Sequence, residues 1–507
     1  MRKLFSILFI LTAFQVSAQS DTCFDPNSKA YYRCERNIER ICADHLIDDL
    51  IELEETLLAV HPDPYAYCGK EAFDEAYKKA SEFYSEDRTM IEHAQNLNQF
   101  IGVVQDSHLQ THVFRLMLES CGYDSGFLPL YIEPIEGKYY IEKDYINGPP
   151  VGSEIISIGK LSMKELHTLA KQWSVDEGHA MNASNEAAPY YYTPSQFFAN
   201  PSQYAGDLET IVFQIDGKLD STIVQLVSLK ELQKIRREHF NQNKKNVEAT
   251  FYLNERKAIL KVHSFSSRPL QNDVKKIRKF FQAARELGIE EIAIDVRDNP
   301  GGSSAMVEYL CSFLMPNGLN TPSNIIWKAS EYSYQIISNF RLKHFPKFTE
   351  KRFKRNEDMY QYFLLSQTPL EKLDTAFFSI PQRQRREHVY NGTLAILMNG
   401  NTVSAACDFA QLLQSHQRAD LIGTPCNATA NGTWGNATTV QLYESGISYS
   451  VPTIRYNYKN TFSYSRTPIL PNIPLEQSLE DLKSGKDTVL NYFIENYIIT
   501  KCLPRSI

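Results

Sequence analysis

The stretch "IEEIAIDVRDNPGG", residues 289–302, decides the fold. Its first nine residues are an apolar run with few polar interruptions, the pattern of a strand covered on both faces, and "DNPGG" is a turn. Ala305, Met306, Val307, Leu310, Phe313 and Leu314 then recur at helical spacing, giving one strand-loop-helix unit. A second follows: "TLAILMN" (393–399), a polar turn, then Ala405, Ala406, Phe409, Leu412 and Leu413. Such alternation predicts an α/β domain with a parallel sheet covered by helices. Ligands gather in such sheets where strands end and helices begin, and both Gly301-Gly302 and Ser404 fall at those turns.

Ser404 lies in "NGNTVSAACDF" (399–409). The bland reading is a helix cap, since serine is favoured where helices start. The sharper reading is a nucleophile on a strand-to-helix turn, with the backbone N–H of Ala405 as half of an oxyanion hole at the positive end of the helix. The second donor would be the N–H of Gly301 or Gly302, because a residue without a side chain lets backbone and substrate approach closely. A serine nucleophile needs a base, histidine or neutral lysine. His108 follows Asp106 and Ser107 in "QDSHLQTHVF", but spacing alone does not separate it from the other eleven histidines. His108 and His112 form an HxxxH pattern, which on a helix could bind metal; the surrounding residues read as a strand and no third ligand is evident, so no metal or other cofactor is expected.

The chain has 507 residues, 43% hydrophobic and 22% charged, enough for two or three globular domains. "MRKLFSILFILTAFQVSAQS" carries Arg2 and Lys3, an apolar run from Leu4 to Phe14 and Val16-Ser17-Ala18, which reads as a signal peptide over residues 1–18. Export to the periplasm or the extracellular space is expected, with no membrane span, since that run is shorter than the roughly 18 residues a span needs. A net charge of −7 with mixed signs gives no nucleic-acid or anionic-membrane surface. Five of the nine cysteines precede residue 122; Cys311 and Cys407 sit on apolar helix faces and are expected to be free and buried. Residues 23–118 read as a helical domain, 122–235 as a small β-rich domain with its helix at "MKELHTLAKQW", 238–246 as a polar linker, and 246–500 as the α/β domain. The segment 315–388 has no assigned role, and neither oligomeric state nor disulfide pairing is readable.

The ordered set "AIDVRDNPGG", "LMNGNTVSAACDFAQLL", "LIGTPCNATANGTWG", "YESGISYSVPT" and "LPNIPLEQSLEDLKSGKDTVLNYFIENYI" resembles the tail-specific, or C-terminal processing, serine peptidases over about 246–500. Asn472 stands where aspartate is usual in that family. The resemblance implies a crotonase-like catalytic domain with Ser404 as nucleophile, and a peptide or protein as substrate. In the lysine-dependent branch a lysine follows the nucleophile helix; Thr429 occupies that position here, so that dyad is missing. The tricorn-core branch instead takes a histidine from a preceding helical domain, followed by a PDZ-like domain. This chain has that order, and "DSHLQ" resembles the histidine motif. The resemblance therefore implies His108 as general base, Ser107 as the group orienting it, "PPVGSEIISIGKLSMKEL" (149–166) as a PDZ-like element, and an oxyanion hole from Ala405 with Gly301 or Gly302. Two departures stand out: Arg466, with no acid nearby, occupies the place of the glutamate that completes the relay, and Asp408 replaces the glutamate four residues after the nucleophile. The relay ends at Ser107, uses Asp106, or draws on a residue the sequence does not identify.

Two rival readings remain. One is a non-catalytic binder of apolar ligands on the same fold, in keeping with 28 Phe and 29 Tyr. The other is an envelope adaptor that binds peptides through its PDZ-like domain.

Overall fold

The computed structural model describes residues 40–112, 127–144, 148–173, 175–178, 208–240, 246–266, 270–315, 323–328, 330, 373–378, 389–457 and 464–496. The expected signal peptide lies outside them, as does most of 315–388.

Three helices come first: α1 (Ala43–Val60), α2 (Lys70–Glu82) and α3 (Met90–Gly102). In α1, Leu46, Leu50, Leu53, Leu57 and Val60 are fully buried, the three-and-four spacing that gives one apolar face. Helix α3 opens with a capping box, in which Thr89 and Glu92 each bond the other's backbone N–H. The chain then turns through Asp106–His108 into a two-residue strand, β1 (Gln110–Thr111).

An antiparallel sheet follows in spatial order β2 (Leu130–Ile135), β3 (Lys138–Asp144), β4 (Glu154–Ile158), β5 (Leu208–Ile215) and β6 (Lys218–Gln225). Helix α4 (Met163–Lys171) lays Met163, Leu166 and Ala170 over Ile132, Ile141, Ile155, Ile158 and Ile211. Helix α5 (Leu229–Phe240) runs into the segment expected as a linker from 238. Ser228 caps it by accepting from the Glu231 N–H, and a Lys-, Glu- and Arg-rich run carries it on.

The remaining elements are β7 (Val247–Tyr252), β8 (Lys257–Val262), α6 (Leu270–Glu286), β9 (Glu291–Asp295), α7 (Ser304–Leu314), β10 (Ser323–Lys328), β11 (Leu373–Phe378), β12 (Thr393–Met398), α8 (Ala405–Ser415), β13 (Asp420–Gly423), β14 (Thr433–Gly435), β15 (Thr438–Gln441), β16 (Ser448–Val451), β17 (Ile454–Asn457), β18 (Ile473–Pro474) and the short helical segments Leu479–Ser484, Thr488–Asn491 and Tyr492–Asn496. The central sheet has the order β7-β8-β9-β12-β13-β18, parallel throughout except for β7 against β8. On one face Ile292, Ile294, Ile396 and Met398 meet Ile277, Phe281, Leu310, Phe313, Phe409 and Leu413; on the other Ala293, Ala395 and Leu397 meet Val489 and Phe493. Cover on both faces explains the uninterrupted apolar runs of β9 and β12. Truncating a side chain such as Leu397 to alanine would cost roughly 2–5 kcal/mol. Strands β10 and β11, inside the unassigned segment 315–388, pair with each other and extend a second sheet in the order β11-β10-β17-β14.

The helical region and the α/β region are not separable. Strand β16 pairs with β15 and, on its other edge, with β1, and Leu442, Ile447, Tyr449 and Val451 complete the apolar core of the three N-terminal helices. Cys311 and Cys407 are free and buried; Cys426 is too, Cys68 is free and half-buried, and Cys42 is in a disulfide.

Candidate active site

Side-chain amides and hydroxyls join the turns after β9 and β12. Asn299 donates from Nδ2 to the Val262 carbonyl while its Oδ1 accepts from the Gly301 N–H. Its carbonyl accepts from the Val403 N–H at 3.0 Å. Thr402 Oγ1 donates to the Val296 carbonyl, and Asn399 and Asp298 exchange two bonds across the turns. Below them, Arg297 grips Asp295 and reaches Asp487 at 2.8 Å, tying the C-terminal segment to the sheet. Buried Asp295, facing the cations Arg297 and Lys261, is held down to about 2 although burial alone would raise it.

Ser404 stands at the start of α8 with φ 54° and ψ −127°, a backbone conformation costly for a residue with a Cβ, on the order of 1–3 kcal/mol. Its side chain makes no cap bond, so capping does not explain the residue. Its carbonyl accepts from the Asp408 N–H, which anchors the first helical turn. Gly301, at φ 89°, packs directly against it: a Cβ there would lie 2.7 Å from Ser404 Cβ, 2.8 Å from the Val403 carbonyl oxygen and 3.0 Å from Ala405 N. The sheet thus brings Ser404, Ala405 and Gly301 together. The Gly301 N–H is committed to Asn299, whereas the structure records no partner for that of Gly302 among the described residues. Gly302, at φ 137°, is equally confined, since a Cβ would meet Ser266 Oγ at 2.3 Å and the Phe265 carbonyl carbon at 2.4 Å.

The second group of residues comes from loops. Asp106 Oδ1 accepts from the His108 N–H at 2.8 Å, an Asx turn, while the His108 carbonyl accepts from Ser450 Oγ on β16 at 2.7 Å. His108 Nδ1 lies 3.4 Å from Ser107 Oγ and 3.7 Å from Asp106 Oδ1. Ser107 Oγ donates to Glu177 Oε2 at 2.7 Å. A hydroxyl has one proton, so with that proton on Glu177 it is an acceptor towards His108 Nδ1. Glu177 arrives from beyond α4, fixed by the Gly178 N–H donating to the Gln105 carbonyl at 2.9 Å. Gly178 permits the approach: at φ 57°, a Cβ there would lie 2.7 Å from Thr429 Cγ2.

The electrostatics follow from burial. Asp106, fully buried, would be raised by desolvation, but hydrogen bonds and charge from His108 and His61 bring it to about 2. Glu177, fully buried, is pushed up to about 8 by desolvation, then by the Asp106 charge. Burial lowers His108, yet the bond and charge of Asp106, followed by Glu177 and Asp408, leave it above the ordinary histidine value. Asp408 belongs to the first turn of α8, so the charge of the helix that Ser404 opens acts on His108.

Behind this group, His61 Nδ1 accepts from the Asp63 N–H, which leaves Nε2 to donate to Asp106 Oδ2 at 2.9 Å. Its ring packs at a tilt of 49° against Trp434, with centroids 4.5 Å apart. Thr429 is buried and bonded to the Tyr67 hydroxyl at 2.9 Å. Arg455, fully buried, donates to the same hydroxyl and lies 4.5 Å from the Trp434 ring and 4.8 Å from that of Tyr464.

Glu177 is the site residue that the sequence did not reveal; only the Glu-Gly pair marks it, and nothing links it to Ser107, 70 residues earlier in the sequence. His112 does not join His108 in a metal pair: its backbone N–H pairs with the Ser448 carbonyl, as expected of a strand. Asp106, His108 and Glu177 do offer donor atoms within 4.8 Å of one another, the one such trio among the described residues. Asn472, in place of the usual aspartate, accepts from the Leu421 N–H and from Gln414 Nε2.

Residues 256–475 match the model of Peptidase family S41. Among solved structures, mature CPAF matches with a TM-score of 0.62 at 16% identity, over 87% of this chain and 94% of its own. A serine-to-alanine mutant of CPAF gives 0.64 at 15% identity, over 90% and 99%, and mature CPAF complexed with lactacystin gives 0.60 at 16%, over 87% and 96%. At these identities the likeness is one of fold, and it extends over nearly the whole chain. No curated protein matches. The Ser404 turn and the glycine turn packed against it both fall within residues 256–475, the span that matches Peptidase family S41, and the match supports a serine-type peptidase.

Proposed function

We propose that the protein hydrolyses peptide bonds with Ser404 as nucleophile and His108 as general base, and that Ser107 and Glu177 hold the imidazole with its proton on Nδ1. Nε2 is then free to take the Ser404 proton and return it to the leaving amine. The N–H groups of Ala405 and Gly302 receive the oxyanion; each is worth roughly 3 kcal/mol of barrier. Gly301 serves as the spacer that admits the serine. The observation that carries the reading is the Glu177–Ser107–His108 chain, whose imidazole feels the charge of Asp408 in the first turn of the helix that Ser404 opens. It supplies the acid that is missing where the tricorn-like pattern would put it, at Arg466.

The same reading assigns residues 23–118 to a helical domain that delivers the base, 122–235 to a PDZ-like domain and 246–500 to a crotonase-like catalytic domain. The five-stranded antiparallel sheet with α4 across it and the six-stranded mainly parallel sheet support these assignments. Residues 1–18 direct export, so the substrate is a peptide or protein of the periplasm or the extracellular space.

Labelling with a fluorophosphonate probe tests the mechanism. The wild type should be labelled at Ser404, and Ser404→Ala and His108→Ala should not. A folded wild-type protein that resists the probe and cleaves no peptide would support the non-catalytic binder instead.

A further inference from the structure

We propose that Asp106, His108 and Glu177 form a binding site for a divalent transition cation, zinc being the best chemical match, and that its occupation silences the base. The inhibitory half rests on the mechanism proposed above; the binding half does not.

One imidazole nitrogen and two carboxylate oxygens lie within 4.8 Å of one another, and Asp106 and Glu177 are fully buried. Glu177 Oε2 is occupied by Ser107, but Oε1 is buried with no hydrogen-bond partner. A buried carboxylate oxygen left bare is costly, and a cation is one of the groups that satisfies it. Asp106 Oδ1 accepts one backbone N–H and retains lone pairs. Its other oxygen is held by His61, the outer support that metal-binding carboxylates commonly have. Neighbouring ligand atoms on tetrahedral zinc are about 3.4 Å apart, so the three loops need to close by roughly 1 Å. The imidazole favours zinc and its neighbours over calcium or magnesium, which prefer all-oxygen shells.

Binding releases the carboxyl proton of Glu177 and the Nδ1 proton of His108 to solvent and puts the cation in their place. With that nitrogen coordinated, the imidazolium that general-base catalysis requires would form beside a divalent charge. The ring also turns away from Ser107. Two carboxylates and neutral imidazole match the cation's charge, and a solvent water completes the tetrahedron.

The test is a calorimetric titration of Zn²⁺, and separately Ca²⁺, into the full chain in a non-chelating buffer, alongside fluorophosphonate labelling. Zinc should bind one-to-one and tighter than calcium, at least about ten-fold more weakly in Glu177→Gln and in His108→Ala, and undiminished in Ser404→Ala. Labelling should fall with zinc and recover with EDTA. Circular dichroism melts check that each variant keeps its fold, and Asp106→Asn provides a third ligand loss. Zinc affinity equal to that of calcium, or unchanged in the folded Glu177 and His108 variants, would overturn the site. Labelling that persists at zinc saturation would overturn the silencing. Zinc binding without any labelling supports the metal site and removes the serine mechanism; labelling without zinc binding does the reverse.

Discussion

Ser404 and Gly301 are held by the backbone of one sheet, at neighbouring turns joined through Asn299, Thr402 and Asn399. His108, Ser107 and Glu177 are held by side-chain bonds between loops, with Ser450 and Gly178 supplying the anchors. The first arrangement follows from two local units whose order in sequence is their order in space. The second exists only after three distant segments have met. The serine turn can therefore be read from local grammar, while the residues proposed to activate it depend on packing that no short window contains.

The largest expected effects come from breaking each half at its centre. Ser404→Ala and His108→Ala should each lower kcat/KM by roughly 10⁴-fold or more, and the double variant should be little worse than either, because the two act together. Independent additive losses would refute a shared proton transfer. Gly301→Ala attacks the sheet-held half alone. Its Cβ cannot sit 2.7 Å from Ser404 Cβ, so activity should collapse while zinc affinity at the loop-held half is kept. Glu177→Gln attacks the loop-held half alone: kcat should fall about 10- to 100-fold with KM little changed. A change in KM only would make Glu177 a structural residue.

A pH series sharpens the contrast. Glu177 holds its proton in the folded chain up to about 8 and loses it when unfolded near the ordinary value of 4.5. Between those values the folded state binds more protons, so stability is full below about 4.5 and declines as pH rises through 8. His108, also raised, adds in the same direction. Asp106, lowered to about 2, acts oppositely and loses its contribution only below its unfolded value near 3.8. Thermal melts of the wild type should fall from pH 5 to 8 more steeply than those of Glu177→Gln. The smallest effect is expected for Asp408→Asn. Removing its charge lowers His108, so the acidic limb of kcat/KM should move to lower pH by a fraction of a unit.

The two strand-turn-helix units were legible because burial on both faces leaves unbroken apolar runs, and their helices carry the matching face. Cys311 and Cys407 were legible for the same reason. Glu177 was not, since its role comes from a backbone bond between Gly178 and Gln105 and from the fit of Gly178 against Thr429. Helix α5 was not read from the sequence, and it runs into the stretch expected as a linker because its polar residues are good helix formers as well as good linker residues. The pairing of β16 with β1 was also hidden, since neither strand is longer than four residues.

That pairing has a consequence for any attempt to trim the molecule. A fragment starting near residue 246 would retain Ser404 but would lack His108. It would also uncover Leu442, Ile447, Tyr449 and Val451, the side chains over which the first three helices close. Such a piece would be prone to self-association and, under the proposed mechanism, inert, so one and the same seam would serve both solubility and activity.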